Sequence, residues 1–341
     1  MLRLPPIDFR APKRLEDVLA ALATDDVRLV AGGTDLWPNM KRRHQQAGTV
    51  VSLMSVPGLR GIEHTDGEVK IGAITCLSEI VRDDKMRASF PAFARAVASI
   101  SSPPLRNMAT LGGNLCVDTR CTYYNQTEEW RRSIDYCLKE QGSICWVATK
   151  SPRCWAHSAS DSAPILCALD ARVKLVSNNG ERVIPVSQFF HDDGIDYLSK
   201  QADEILTEVL IPASSDHNHC RSAFWKLRRR GSIDFAVLSV AAAVWTNERD
   251  IVTRASVYLG AVGSAPMPVE VESLLLGQVL NEDLIREVAH RAQKVATPMD
   301  NTDFAAAWRG KMANSYTHAA LNEIAGLPVR CAAPRHGLTV V

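Results

Sequence analysis

The apolar positions change their period several times along the chain, and each change marks an element. In RLEDVLAALA (14–23), Leu15, Val18, Leu19 and Leu22 recur at three- and four-residue spacing, which predicts an amphipathic helix. VRLVAGGTDL then runs apolar with β-branched residues and halts at Gly32-Gly33, a strand ending in a glycine turn. TVVSLMSV (49–56) and EVKIGAIT (68–75) predict further strands, so a small α/β unit is followed by a strand-rich one. Residues 77–100 predict a helix with Phe93, Ala96, Val97 and Ile100 on one side and Pro103-Pro104 as its stop.

A second double-glycine turn follows in ATLGGN. APILCALDARVKLVS and ERVIPVSQFF predict a short helix and two strands around the turn Asn178-Asn179-Gly180, and ILTEVLIP a further strand closed by Pro212. The polar SSDHNHC (214–220) marks a domain boundary. Beyond it come the strand RSAFWKLRR, DFAVLSVAAAVWT as strand or helix start, the strand ASVYLGAVG, and helices over 281–296 and 303–325, the first capped by Asn281 or Asp283. The expected units are 1–55, 56–213 and 214–330, with a tail at 331–341.

Charge and composition narrow the function. Lys and Arg number 39 against 38 Asp and Glu, so nothing supplies the cationic excess that nucleic-acid binding needs. The basic runs MKRRH (40–44) and KLRRRG (226–231) are expected as solvated turns, with an anion or partner site as the alternative. No apolar run approaches the ~20 residues of a membrane span, and the N-terminus carries no signal-type apolar stretch. The expectation is a soluble cytoplasmic protein whose nine cysteines stay reduced, which moves clustered thiols toward metal or redox chemistry.

Two patterns carry candidate chemistry. Ala31-Gly32-Gly33-Thr34-Asp35 and Ala109-Thr110-Leu111-Gly112-Gly113-Asn114 are glycine turns of similar composition, and backbone amides in such turns converge on anions. Neither G-x-G-x-x-G nor a P-loop is present. Cys121, Cys137, Cys145 and Cys154 lie in one polar segment, separated by fifteen, seven and eight residues without a C-x-x-C pair. That spacing suits an iron–sulfur cube, leaves zinc possible and leaves four plain thiols possible. Cys76, Cys116, Cys167, Cys220 and Cys331 fit core packing, and His157 fits a hydrogen-bonded histidine or a neighbour of the cysteine site. No hydrolase-type constellation is present.

AGGTDL, RNMATLGGN and ASDSAPILCALDA, in this order and spacing, resemble the FAD-binding medium subunit of the molybdenum hydroxylase (xanthine dehydrogenase) family, over nearly the whole chain. The cysteine segment, with DTRCTYYNQ (118–126), resembles an insertion in the β subunit of 4-hydroxybenzoyl-CoA reductases that holds a 4Fe-4S cluster. The resemblance implies an α+β fold: a two-subdomain FAD-binding domain of the p-cresol methylhydroxylase type, a 4Fe-4S insertion at about 118–157, and a C-terminal α+β domain with a three-stranded sheet.

It further implies that Leu29, Val30, Ala31, Gly32, Gly33, Thr34, Asp35 and Leu36 wrap the FAD pyrophosphate. Ala109, Thr110, Gly112, Gly113 and Asn114 would form a second cradle. Asp161 would bond the ribityl or ribose hydroxyls, Lys226 would lie near the flavin, and Cys121, Cys137, Cys145 and Cys154 would ligate the cluster. Implied partners are a molybdenum-cofactor large subunit and a 2Fe-2S small subunit, in a dimer of heterotrimers. Reductive dehydroxylation of an aromatic acyl-CoA is the implied reaction, with another molybdenum hydroxylase or a stand-alone flavoprotein as the alternatives. Ferredoxin is the expected electron carrier, steered by Arg131, Arg132, Lys139 and Lys150, with Tyr123, Tyr124, Trp130, Trp146 and Trp155 shielding the flavin from NAD.

Overall fold

The computed structural model describes residues 2–213 and 219–329. In the first subdomain, β1 (Asp8–Arg10), α1 (Leu15–Leu22), β2 (Val27–Val30), α2 (Leu36–Lys41) and β3 (Thr49–Ser52) form a parallel sheet of order β1-β3-β2 with α1 packed on it. Val18, Leu19 and Ala21 of α1 meet Val51 and Leu53 beneath. The predicted apolar face of α1 is therefore the buried one.

The second subdomain holds β4 (Ile62–His64), β5 (Glu68–Gly72), α3 (Leu77–Arg82), α4 (Asp84–Ser89), α5 (Pro91–Ala98), α6 (Pro103–Arg106), α7 (Leu111–Leu115), α8 (Glu128–Ser133), α9 (Ser162–Ala168), β6 (Arg172–Ser177), β7 (Gly180–Pro185) and β8 (Ile205–Pro212). Its antiparallel sheet runs β4-β5-β8-β6-β7. The single helix expected over 77–100 is three. Asp83 turns extended and caps α4 through Met86 N, and Pro91 restarts the chain at the first turn of α5. Pro103-Pro104 likewise open α6, since proline lacks only an amide that a first turn would leave unpaired anyway.

The C-terminal domain comprises β9 (Cys220–Leu227), β10 (Leu238–Thr246), β11 (Val252–Gly260), β12 (Met267–Val269), α10 (Glu272–Leu275), α11 (Glu282–Val295) and α12 (Ala306–Ala325). All nine residues of β10 are buried. Ala241, Ala243 and Trp245 join the core of the second subdomain, while Val240, Ala242 and Val244 face α11 and α12. Burial on both sides explains a continuous apolar run that alternation could not resolve. The sheet has four strands, order β12-β11-β10-β9, where three were expected. The fourth is a three-residue edge carrying Pro268, too short for a periodic signal and placed where proline costs no ladder bond. Asn281 caps α11, accepting from the amides of Asp283 and Leu284.

The boundary expected at 214–220 falls mostly outside the described residues, as do Cys331 and the 331–341 tail. No helix among the described residues is long and apolar enough to cross a membrane.

Candidate functional site: two adjoining cavities

A cavity of about 620 Å3 opens where the two glycine turns meet, a size typical of small-molecule sites. The turns touch through Gly32, where any Cβ would overlap the Met108 carbonyl. Gly33 holds φ at 69°, the left-handed region, with its open side filled by the Trp37 indole.

Leu29, Ala31, Gly32, Thr34, Asp35 and Leu36 line the cavity from the first turn, and Ala109, Thr110, Gly112, Gly113 and Asn114 from the second. Val30 does not, because its side chain points off the other face of β2 toward Met40 and Val50. Gly33 also lies outside the lining.

The two turns are not equivalent. Among the described residues, the amides of Gly32, Gly33 and Thr34 meet no protein acceptor. The second turn spends its amides internally: Leu111 N on Thr75 O, Gly112 N on Ala73 O (2.8 Å), Gly113 N on Thr110 Oγ1 (3.2 Å) and Asn114 N on Thr110 O. The expected pair of cradles is thus one donor-rich turn facing a hydrogen-bonded wall.

Asp161 and Lys226 lie outside the lining, joined as a buried ion pair at 2.7 Å with both side chains 4% exposed. Lys226 also donates to Ser99 O. Burial pulls the Asp161 carboxyl up and the Lys226 ammonium down from their ordinary ranges, and their mutual attraction opposes both shifts. Oδ1 of Asp161 is buried without a protein partner. Asn114 ties this segment to the cavity, its Oδ1 accepting from Ser160 Oγ (3.0 Å) and Ser162 Oγ (2.6 Å).

The sequence reading missed Gln45, Asp118, Tyr197 and Phe235, all of which line the cavity. They come from separate loops, and only Phe235, an aromatic just after the basic run, carried any local signal. Cys116 packs against the core of the second subdomain, as expected, and lines the cavity as well. Cys167 is in the core as expected, and Cys76 caps α3.

The four clustered cysteines are buried, at 5–7% exposure. They come together around a single small cavity walled also by Tyr124, Lys139 and Trp146. Burial pushes the Cys121 thiol up to about 12 and the Cys154 thiol to about 11. Among the described residues no three His, Cys, Asp or Glu side chains are arranged to share one metal ion. The cavity, about 10 Å3, has the room of one water, so seating a cube requires the loop to open around it.

The loop is anchored on three sides. Tyr124 OH donates to His44 O (2.6 Å), and His44 Nε2 lies 3.1 Å from Gln126 O. Thr122 N bonds Asn301 O, and Asn301 Nδ2 reaches Trp155 O (2.6 Å). Ser264 Oγ donates to Ala156 O. MKRRH is therefore no simple solvated turn, since burial of His44 holds its imidazole down at about 4. The 226–231 run departs from expectation as well, because Lys226 is buried. His157 is buried, its Nδ1 3.0 Å from Ser158 O, and stands among backbone rather than thiols.

Two of the four expected steering cations are structural. Arg131 is fully buried and binds Glu140 (2.7 Å) and Glu128 (2.6 Å) together with the carbonyls of Gln126 and Arg42. Lys139 is buried against Asp118 at 2.8 Å. Neither reaches an incoming partner, because unpaired carboxylates in these places would cost more than the solvation the cations forgo. Arg132 and Lys150 stay exposed. None of Tyr123, Tyr124, Trp130, Trp146 and Trp155 lines the larger cavity; the segment's contribution there is Asp118.

Residues 5–214 match the FAD binding domain in molybdopterin dehydrogenase, and 222–324 match the CO dehydrogenase flavoprotein C-terminal domain. The chain belongs to the FAD-binding subunits of the molybdopterin dehydrogenase family. It is an oxidoreductase subunit whose cofactor is FAD.

Among its relatives is the aldehyde oxidoreductase FAD-binding subunit PaoB of Escherichia coli, 30% identical over 77% of this chain and 83% of that one. The nicotinate dehydrogenase FAD-subunit of Eubacterium barkeri is 28% identical over 80% of each. A solved carbon monoxide dehydrogenase of Hydrogenophaga pseudoflava shares the fold at a TM-score of 0.78, with 23% identity over 94% of this chain and 98% of that one.

Proposed function

We propose that this chain is the flavin-bearing electron-transfer subunit of a multi-subunit molybdenum-dependent oxidoreductase and that its cysteine loop holds a 4Fe-4S cluster. A separate large subunit would carry the molybdenum cofactor and a small one the 2Fe-2S centres, as a dimer of heterotrimers. The convergence of four dispersed cysteines on one buried cavity beside the flavin cavity carries the cluster reading. Names such as FAD-subunit and medium chain among the relatives support the assembly.

For FAD the fit rests on the three unpaired amides of Gly32, Gly33 and Thr34, donors suited to a pyrophosphate. The orphaned Oδ1 of Asp161 suits a hydroxyl, with Lys226 fixing that carboxylate rather than touching the flavin. For the cluster, the fit rests on the donor set, four thiols without a competing carboxylate in the lining. Bound there, the flavin supplies a two-electron couple and the cluster a one-electron couple. The chain's own residues position these centres and hold water back from the thiols.

Relatives named for nicotinate, carbon monoxide and aldehydes favour the broader reading, in which substrate choice belongs to the partner subunits. The acyl-CoA dehydroxylation reading rests on the cysteine loop alone. A ferredoxin-type carrier would meet the loop at exposed Trp130, Ile144 and Trp146, beside Arg132 and Lys150.

Anaerobic purification with flavin, iron and sulfide assays tests this reading. One FAD with four irons and four sulfides per chain is expected, together with co-migration of molybdenum-bearing chains on gel filtration. Flavin without iron would retain the subunit and remove the cluster.

A further inference from the structure

One wall separates the two cavities, and an ion pair spans it. Asp118 lines the flavin cavity, where its Oδ2 also accepts from Gln45 Nε2 (3.1 Å). Lys139 lines the cysteine cavity and meets Asp118 Oδ1 at 2.8 Å. Its ammonium also donates to Thr119 Oγ1 (2.8 Å) and Gly194 O (2.6 Å). Gly194 is pressed on the thiol side: its amide bonds Cys154 O, and a Cβ on it would come within 2.6 Å of Cys154 Sγ. Tyr124 of the cysteine cavity and Tyr197 of the flavin cavity flank the ammonium, their ring centroids 5.1 and 5.4 Å away. Both charges are nearly dry, at 6% and 7% side-chain exposure.

We propose that the Lys139–Asp118 pair sets the reduction potentials of the two centres in opposite directions. The pair is a fixed dipole with its positive end toward the thiols and its negative end toward the flavin. Reduction adds negative charge to either centre, so the ammonium raises the potential of the cluster and the carboxylate lowers that of the flavin. Low water content around the pair keeps this field from being screened. Three further hydrogen-bonding partners, Gln45, Thr119 and Gly194, fix its direction, so the dipole resists reorienting when one centre changes charge. This inference rests on the cofactor assignment above and adds to it a residue pair that ligates neither group.

The decisive variant is the double replacement Lys139→Met with Asp118→Asn, which keeps both shapes and leaves no buried charge without its partner. Potentials are read by dye-mediated redox titration, the cluster by its EPR signal and the flavin by absorbance. The cluster couple should fall and the flavin couple rise, each by about a tenfold change in reduced-to-oxidised ratio, which is about 59 mV for a one-electron and about 30 mV for a two-electron couple. Asp118→Asn alone keeps the Lys139 contacts to Thr119 and Gly194, and should raise the flavin couple more than the cluster couple. Arg132→Met serves as control: it removes an exposed ion pair with Glu128, on a side chain 71% exposed, and should leave both potentials in place. Potentials that stay put, or that move together, in the double variant overturn the proposal. Equal shifts in Asp118→Asn do the same. A parent protein lacking iron sinks the cluster assignment itself, which the iron assay reads separately from any potential.

Discussion

Replacing Arg131 with Gln should loosen the cysteine loop while leaving the rest of the protein folded. The side chain is 1% exposed and makes contacts to two carboxylates and two carbonyls. Removing one partner of a buried ion pair costs about 3–5 kcal/mol, because the other charge stays behind in a dry place. Glu140, at 10% exposure, bears that cost; Glu128, at 26%, recovers part of its hydration. The lower end, about 3 kcal/mol, is therefore expected, and it corresponds to an increase of roughly 150-fold in the open population of the loop. Hydrogen–deuterium exchange measures this directly: amides in 121–157 should exchange on the order of a hundred times faster, with β10 and α12 unchanged. Iron content should drop in parallel. Arg132→Glu is the matched control, since Arg132 is 71% exposed and its pair with Glu128 is worth less than about 1 kcal/mol. Loop amides exchanging at the parental rate in Arg131→Gln, or equal acceleration in Arg132→Glu, would refute the reasoning.

Gly33→Val should yield a folded protein with little bound flavin after gel filtration, since valine pays about 1–2 kcal/mol for the left-handed backbone and collides with Trp37; full flavin content would count against the first turn as the phosphate seat. Cys137→Ser should lose iron and keep FAD, because the glycine turns stand outside the loop; joint loss in a folded protein would show that the two cavities are not separable. Thermal stability should decline as pH falls from about 6.5 to 4. Desolvation holds His44 and His157 at about 4 in the folded chain, so in this window the unfolded state takes up protons that the folded state refuses. Above 6.5 the effect vanishes, and His44→Gln should flatten the melting-temperature profile; a parental slope in that variant would remove His44 from the account.

Where a feature is local, the residues announced it. The first glycine turn, the helix face of Leu15 to Leu22 and the Asn281 cap all depend on neighbours within a few positions and stand as expected, whereas the second glycine pair lies in the short helix α7 with its amides already bonded. The convergence of the four cysteines was also legible, since a polar segment offers thiols few other reasons to cluster. What escaped depends on partners far along the chain. Lys139 looks like a solvated cation in its own segment, and only Asp118 and Gly194, brought in by folding, make it a buried anchor; Arg131 pairs with Glu128 and Glu140 of its own segment, whose approach depends on how the loop folds. Lys226 behaves the same way through Asp161. Strand β10 was ambiguous because burial on both faces erases alternation. Gln45, Tyr197 and Phe235 entered the cavity from loops that share no pattern at all.

The anchoring of the cysteine loop by Asn301 and Ser264 has a consequence for how the protein is made. Synthesis runs from the N-terminus, and domains generally fold as they emerge. The last cysteine of the loop is residue 154; His44 and Arg42, which hold one side of the loop, are made earlier, but Ser264 and Asn301 appear more than a hundred positions later. During that interval the loop lacks two of its clasps, and its thiols are expected to be more open to solvent than in the complete protein. The order of synthesis therefore sets when the loop gains its last two anchors, and a truncated chain ending before residue 264 is expected to expose the four thiols to alkylating reagents more than the complete protein does, which thiol-labelling rates would show.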